Sequence, residues 1–286
     1  MAGSSSGPAP GGAEPLSVRR ARRGLGALVL HVPQTIRALV RADELWLTLL
    51  AAIIGLVAGL LVVVMNEATN FAHHLLFLIP AGERLSGTVE VDRLRSLAVP
   101  TIGGLVVGAT LWALARWRPR PTIDPIEANA LYGGQLSLVD SLIVVGQTML
   151  SNGVGASVGL EAGYTQIGSA LASRAGRAFR VRRSDLRLLV GCGAAGAIAA
   201  AFNAPLTGSF YAFELIIGTY SLATLAPVVL SAICAVLAMR GLTGGGDVFE
   251  LRVPSAVAPL DYIAILAMGI LCALAGVALM RGVTLA

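Results

Sequence analysis

Residues 157–168 read SVGLEAGYTQIG, and they carry a single carboxylate, Glu161, at the predicted start of a helix. Gly159 precedes this carboxylate and Gly163 follows it, between segments that are largely apolar. A charge buried in hydrocarbon is costly unless something compensates it. The free amides and the dipole at a helix N-terminus do compensate a negative charge. The stretch therefore predicts a broken helix that begins inside an apolar layer.

Two roles for Glu161 follow from its place at the helix start. The same free amides would attract a small inorganic anion whenever the carboxylate moves away, so Glu161 could be a tethered competitor that gates an anion site. Alternatively, Glu161 caps its own helix or pairs with an arginine. The spacing of the residues alone leaves both roles open.

The composition of the whole chain indicates a membrane protein. Of the 286 residues, 56% are hydrophobic and 13% are charged, whereas soluble domains carry about 25% charged residues. Apolar stretches of about 20 residues recur, which is the length of a helix that crosses a bilayer. These features exclude an ordinary soluble enzyme, a disordered chain and a fibrous protein. They predict an all-α, polytopic membrane protein with broken, tilted helices.

The arginines indicate orientation rather than nucleic-acid binding. The net charge is +5 and the chain has no lysine. Its arginines cluster at the ends of apolar segments, as before the first predicted span (about Leu45 to Met65) and after the second (about Pro100 to Ala115). The positive-inside rule places the arginine-rich ends in the cytoplasm. We predict a disordered cytoplasmic tail over residues 1–24 and a transmembrane domain over residues 25–286.

After Pro121 the apolar segments become short and glycine-punctuated, which is typical of discontinuous helices around a site within the membrane. An arginine run from Arg174 to Arg187 predicts a cytoplasmic loop. About nine or ten helical pieces are expected in total, and no strand. From Pro121 onward the predicted pieces are Asp124–Tyr132, Leu136–Leu150, Glu161–Ala175, Leu188–Phe202, Pro205–Ile217, Leu222–Met239 and about Leu260 to Met280.

Two motifs resemble the CLC family of chloride channels and chloride/proton exchangers. Residues 159–168, GLEAGYTQIG, are similar to the family signature G-[KR]-E-G-P…Q-I-G. Residues 191–215, GCGAAGAIAAAFNAPLTGSFYAFEL, resemble the family segment GAAAGLAAAFNAPLAG…E, and residues 121–131 are a looser counterpart of a third segment. The resemblance covers about residues 45–286. It implies the first inverted repeat of the family fold plus one further helix, with the second repeat absent from this chain.

The resemblance also implies the site residues. Glu161 matches the gating glutamate, and the backbone amides of Leu160, Glu161 and Ala162 would face the anion. Thr122 aligns with a serine that coordinates the central anion, and threonine keeps the hydroxyl donor. The glycines that flank this serine in the family are absent here, and Gly163 replaces a proline. The implied function is chloride transport by a protein that is not an enzyme, with no cofactor and no metal site.

The mode of transport depends on the helix after Asn203-Ala204-Pro205-Leu206. By register, the family's proton-transfer position falls on Leu215, while Glu214 lies one residue away, about 100° around the helix. Leucine cannot carry a proton, which favours passive, voltage-gated conduction. The alternative is proton-coupled exchange along a path through Glu161 and Glu214. A second alternative is a non-conducting scaffold or half-protein that needs a partner chain, because the family's second-half anion ligands are missing.

The resemblance implies partners and a location as well. We expect a homodimer in contact through residues 205–217 and 222–239, embedded in the lipid bilayer. Basicity carried by arginine alone suggests a GC-rich genome and hence a bacterial inner membrane. Other polar groups receive ordinary structural interpretations: a solvated surface for His73 and His74, and hydrogen bonds between helices for Asp140, Gln147 and Asn152.

Overall fold

The computed structural model describes residues 44–80, 85–87, 91–118, 121–244 and 259–285. Within these ranges every regular element is a helix, which confirms the all-α prediction. The predicted tail over residues 1–24 lies outside the described residues. The α-helices are α1 (Glu44–Phe77), α2 (Arg93–Trp117), α3 (Pro125–Leu131), α4 (Leu138–Gly153), α5 (Glu161–Phe179), α6 (Arg183–Phe202), α7 (Pro205–Tyr211), α8 (Leu222–Thr243) and α9 (Pro259–Leu285). A 3-10 turn covers Leu85–Gly87, and a π-helix over Ala212–Ile217 continues α7.

Five of the described helices, α1, α2, α6, α8 and α9, are long and apolar enough to cross a membrane. Between them lie α3, α4, α5 and α7, which are shorter or less apolar. This alternation is the pattern of interrupted helices that the glycine-punctuated segments predict. Helix α9 belongs to a second compact unit and is apolar along its length, whereas α1 to α8 belong to the first unit.

Helix α1 continues well beyond the predicted end at Met65. Polar residues follow Met65, and the predicted span therefore ended there. In the structure the Thr69 hydroxyl donates to the Met65 carbonyl at 2.9 Å, within the helix. The Asn66 side chain accepts a hydrogen bond from the Tyr164 hydroxyl of α5. These polar groups are satisfied by the helix itself and by a neighbouring helix, so they do not interrupt α1.

Two further boundaries differ from the predictions. Helix α2 begins at Arg93 with Asp92 as its N-cap, and Pro100, the predicted start, lies inside the helix. The arginine run does not form an extended cytoplasmic loop. Helix α5 continues to Phe179, and a short turn over residues 180–182 leads into α6, with Arg180 in the left-handed conformation (φ 55°). Most of these arginines are therefore on helix ends.

Helix α6 lies at the centre of the first unit and is buried along most of its length. It packs against α1, α5, α7 and α8 through small residues. The backbones of Gly168 on α5 and Gly193 on α6 touch directly. Gly55 and Gly59 of α1 lie against α8. Small residues at these crossings let helix backbones approach closely, as is common in membrane proteins.

Candidate anion site

Two helix starts, those of α3 and α5, form the candidate site. Helix α3 is capped by Asp124, whose carboxylate accepts from the Glu127 amide at 2.7 Å, with Pro125 in the first turn. Helix α5 begins at Glu161 without a side-chain cap. The first amides of a helix have no partner within the helix. The start of α5 therefore keeps backbone donors available for an anion.

Contacts with α1 show at which level along that helix α5 begins. Gly163 approaches the methyl group of Met65, and Tyr164 is hydrogen bonded to Asn66. At a rise of 1.5 Å per residue, this level is about 17 Å short of the end of α1 at Phe77. The start of α5 therefore lies alongside α1, which is one of the helices long enough to cross a membrane.

The Glu161 side chain folds back over Gly159. Gly159 is left-handed (φ 75°), and a Cβ atom at this position would overlap the Glu161 carboxylate. Among the described residues no hydrogen bond or ion pair of this carboxylate is present, so neither the capping role nor an arginine pair is seen. Glu161 and Ala162 are exposed, whereas Leu160 is buried. The carboxylate is thus near the helix start without being committed to a partner there.

Gln166 connects the two helix starts. Its side chain is 3% exposed, and its Nε2 donates to the Ile123 carbonyl at 3.0 Å and to the Ser141 hydroxyl at 3.1 Å. The Tyr211 side chain of α7 lies beside Thr165 of α5 and packs near Ile123. The segment before α3 is therefore held against α5. Sequence reasoning missed this role of Gln166, and its place in the Gln-Ile-Gly part of the motif was the available signal.

Thr122 lines a cavity of about 210 Å³ between α2 and α4. The Arg118 guanidinium and the Asp140 carboxylate form an ion pair in its wall, with 3.0 Å between Nη2 and Oδ1. Asp140 thus makes a polar contact between helices, as predicted, although with an arginine that the sequence marked only for orientation. Glu161 is not in the lining. The lining residues are Leu111, Leu114, Ala115, Arg118, Thr122, Asp140, Ile143 and Gln147.

The histidines and Asn152 meet at the opposite end of α1 and α4. His73 is hydrogen bonded through Nε2 to the Asn152 carbonyl at 2.8 Å. His74 is bonded to the Ile79 carbonyl. Both rings are therefore engaged with the backbone rather than simply solvated. Helix α1 extends far enough to bring His73 to the end of α4, whereas His74 contacts the segment that follows α1. The contact between helices is made by the backbone carbonyl of Asn152, whereas its side-chain Nδ2 is buried without a hydrogen-bond partner among the described residues, so the predicted bond of the side chain is not seen.

Comparison with known protein families identifies the family of the chain. Residues 103–286 match the family model of the voltage gated chloride channels. The chain belongs to this CLC family. Members of this family are chloride channels or transporters rather than enzymes. Membership in the family, together with the apolar helices, confirms the prediction of a membrane protein.

Individual relatives are similar over about half of their length. The voltage-gated ClC-type chloride channel ClcB of Yersinia pestis is 28% identical over 231 residues, covering 79% of this chain and 56% of the relative. ClcB of Citrobacter koseri is 31% identical over 235 residues, covering 80% and 55%. A putative chloride channel protein ClcB-like of Ralstonia nicotianae is 36% identical over 185 residues, covering 63% and 43%.

A solved structure shares the CLC fold. The crystal structure of a slow cyanobacterial Cl−/H+ antiporter superimposes with a TM-score of 0.61 at 23% identity, over 79% of this chain and 53% of that one. This likeness shows the fold of the chain, including its interrupted helices.

The π-helix carries the two residues that bear on the mode of transport. Glu214 and Leu215 are both exposed in this chain. The Tyr220 hydroxyl donates to Glu214 Oε1 at 3.2 Å. Desolvation, followed by this hydrogen bond and the charge of Glu214, raises the pKa of Tyr220. Tyr220 therefore stays protonated at neutral pH and remains a donor to the carboxylate.

Proposed function

We propose that the protein conducts chloride, or a similar small anion, across the membrane, and that Glu161 gates the pathway. The observation that carries this proposal is the uncommitted Glu161 carboxylate at the start of α5, a helix start that lies alongside α1. A carboxylate there competes with an anion for the same amides. Protonation of the carboxylate removes its charge. Movement of the side chain away from the helix start leaves the backbone amides free to bind an anion.

The anion would be bound by the amides of Leu160, Glu161 and Ala162 and by the Thr122 hydroxyl. Backbone amides and a hydroxyl are the donors that a small anion needs, and none of them carries a competing negative charge. The bond from Gln166 to the Ile123 carbonyl supports this grouping, because it ties the residue after Thr122 to α5. The changed neighbours Pro121 and Ile123 do not remove this tie.

Passive conduction is the mode that we favour. Leu215 occupies the predicted proton-transfer position, and a leucine side chain neither binds nor releases a proton. Proton-coupled exchange is the alternative, with Glu214 and Glu161 as the two ends of the proton path. The observation in its favour is the donor bond from Tyr220 to Glu214, which gives this carboxylate a protic neighbour.

The assembly is also part of the proposal. We propose a homodimer in a bacterial plasma membrane, with the domain over residues 25–286 embedded in lipid and the dimer formed through residues 205–217 and 222–239. Large apolar side chains are exposed on both segments, including Phe210 on α7 and Leu237 on α8. The chain spans about half the length of the curated relatives it matches, so a half-protein that needs a partner chain is the rival to independent conduction.

The gate is tested with Glu161→Gln in the complete protein, reconstituted in liposomes. Chloride efflux through the wild type should rise as the pH falls, because protonation discharges the competing carboxylate. The variant imitates the protonated state, so its efflux should be high and independent of pH and voltage. Asp185→Asn is the matched control, since Asp185 is a carboxylate in the first turn of α6. An unchanged pH profile in Glu161→Gln would refute the gate.

The mode is tested by the reversal potential under a proton gradient. A potential that follows the chloride gradient alone supports passive conduction. A shift toward the proton gradient supports exchange, and Glu214→Gln should then abolish the shift.

A further inference from the structure

The cavity beside Thr122 is lined by two charged residues that have no part in the proposed gate. Arg118, at the end of α2, and Asp140, in the first turn of α4, both line it. Their side chains are 46% and 35% exposed, so the pair is accessible to water and ions. The other lining residues carry no charge, so this pair supplies both charges of the cavity wall.

The ion pair leaves part of the guanidinium unused. An arginine side chain has five N–H donors. The ion pair with the carboxylate is formed through Nη2, at 3.0 Å from Asp140 Oδ1. Donors that remain next to a cavity of about 210 Å³ can contact an anion that still carries water. The Thr122 hydroxyl lies in the same wall.

We propose that Arg118 is the residue that attracts and holds anions in this cavity before they reach Thr122, and that Asp140 limits the strength of this attraction. This inference rests on the proposed function and adds a second, electrostatic determinant of anion affinity. Removing the cation leaves a cavity with a net negative wall, whereas removing the carboxylate leaves a net positive wall. The two neutralising substitutions must therefore act in opposite directions.

The test measures initial chloride flux against chloride concentration in the complete protein. Arg118→Gln should raise the half-saturating concentration about threefold to tenfold, as expected for one unit charge roughly 6 Å from the anion in a partly hydrated site. Asp140→Asn should lower it by a similar factor or less. Arg116→Gln is the matched control, because Arg116 is exposed at the same helix end and does not line the cavity.

Salt dependence separates an electrostatic role from a structural one. Raising the ionic strength with impermeant ions shortens the screening length to a few ångströms. The differences between Arg118→Gln, Asp140→Asn and the wild type should shrink accordingly. A pair that only joins α2 to α4 would instead give two variants with the same direction of change at every salt concentration.

The outcomes distinguish this inference from the gate. Shifts of opposite sign that shrink with salt support the role of Arg118. Shifts of the same sign, no shift, or an equal effect of Arg116→Gln would overturn it. If these results occur while Glu161→Gln still abolishes the pH dependence, only the role of Arg118 fails. If Glu161→Gln leaves the pH profile unchanged, the proposed gate fails whatever the cavity variants show.

Discussion

Replacing Gly159 by alanine perturbs the gate without changing its carboxylate. Gly159 has φ 75°, and a methyl group at this position would occupy the place of the Glu161 carboxylate. The substitution therefore makes two changes at once. It strains the backbone before α5, and it expels the carboxylate from its position over residue 159.

The backbone strain should affect mainly the unfolding free energy, whereas the displacement of the carboxylate should affect mainly the chloride efflux. An L-residue in the left-handed conformation costs about 1–2 kcal/mol relative to glycine. The overlap adds little to this cost, because the displaced atoms are the end of a flexible side chain and can rotate away. We expect Gly159→Ala to lower the unfolding free energy by about 1–2 kcal/mol. Chloride efflux should change far more, approaching the high, pH-independent flux expected for Glu161→Gln.

Gly155→Ala provides the control for backbone strain. Gly155 is also left-handed (φ 91°), but a Cβ atom there would meet the Phe77 ring at 2.9 Å and not Glu161. It should lose at least as much stability and keep the wild-type pH profile. The assay combines thermal unfolding in detergent with chloride efflux from liposomes between acid and neutral pH. Equal efflux profiles for the two alanine variants would contradict the geometry of the gate.

Two other substitutions test the packing that positions the site. Gln166→Leu removes the donor to the part-buried Ile123 carbonyl and to the buried Ser141 hydroxyl, so we expect about 1–3 kcal/mol less stability in chemical unfolding and a reduced flux; full stability would show that the tie is dispensable. Gly59→Val places a side chain against the Ala235 backbone, where a Cβ atom already comes within 2.9 Å of Cα. It should cost about 1–3 kcal/mol, whereas Gly104→Val, with open space around it, should leave the melting temperature unchanged; equal melting temperatures would refute the close packing.

The fold was predictable where glycine and proline interrupt apolar segments. The break before Glu161 and the start at Pro205 are local signals, and both appear in the structure at the expected residues. The end of α1 was not predictable in this way. Asn66 and Thr69 look like loop residues in isolation, and only a partner on α5 and a carbonyl of the same helix satisfy them.

The site was predictable only in part, for the same reason. Glu161 and Thr122 come from motifs, and their roles stay predictions until flux is measured. The pairing of Arg118 with Asp140 joins residues on different helices and has no periodic signature. The two hydrogen bonds donated by Gln166 likewise depend on where α3 and α4 are placed around α5. Such contacts follow from the tertiary arrangement rather than from any single segment.

The π-helix over Ala212–Ile217 is a place where the insertion or loss of a single residue would change which side chain faces a given direction. Its far end is anchored, because the Asn129 amide donates to the Ile216 carbonyl at 2.7 Å. A wide helical turn can absorb the gain or loss of one residue locally, and such a change moves Glu214 about 100° around the axis. A single insertion before Glu214 would thus place a carboxylate at the predicted proton-transfer position, which Leu215 now occupies, without changing the residues of the proposed anion site.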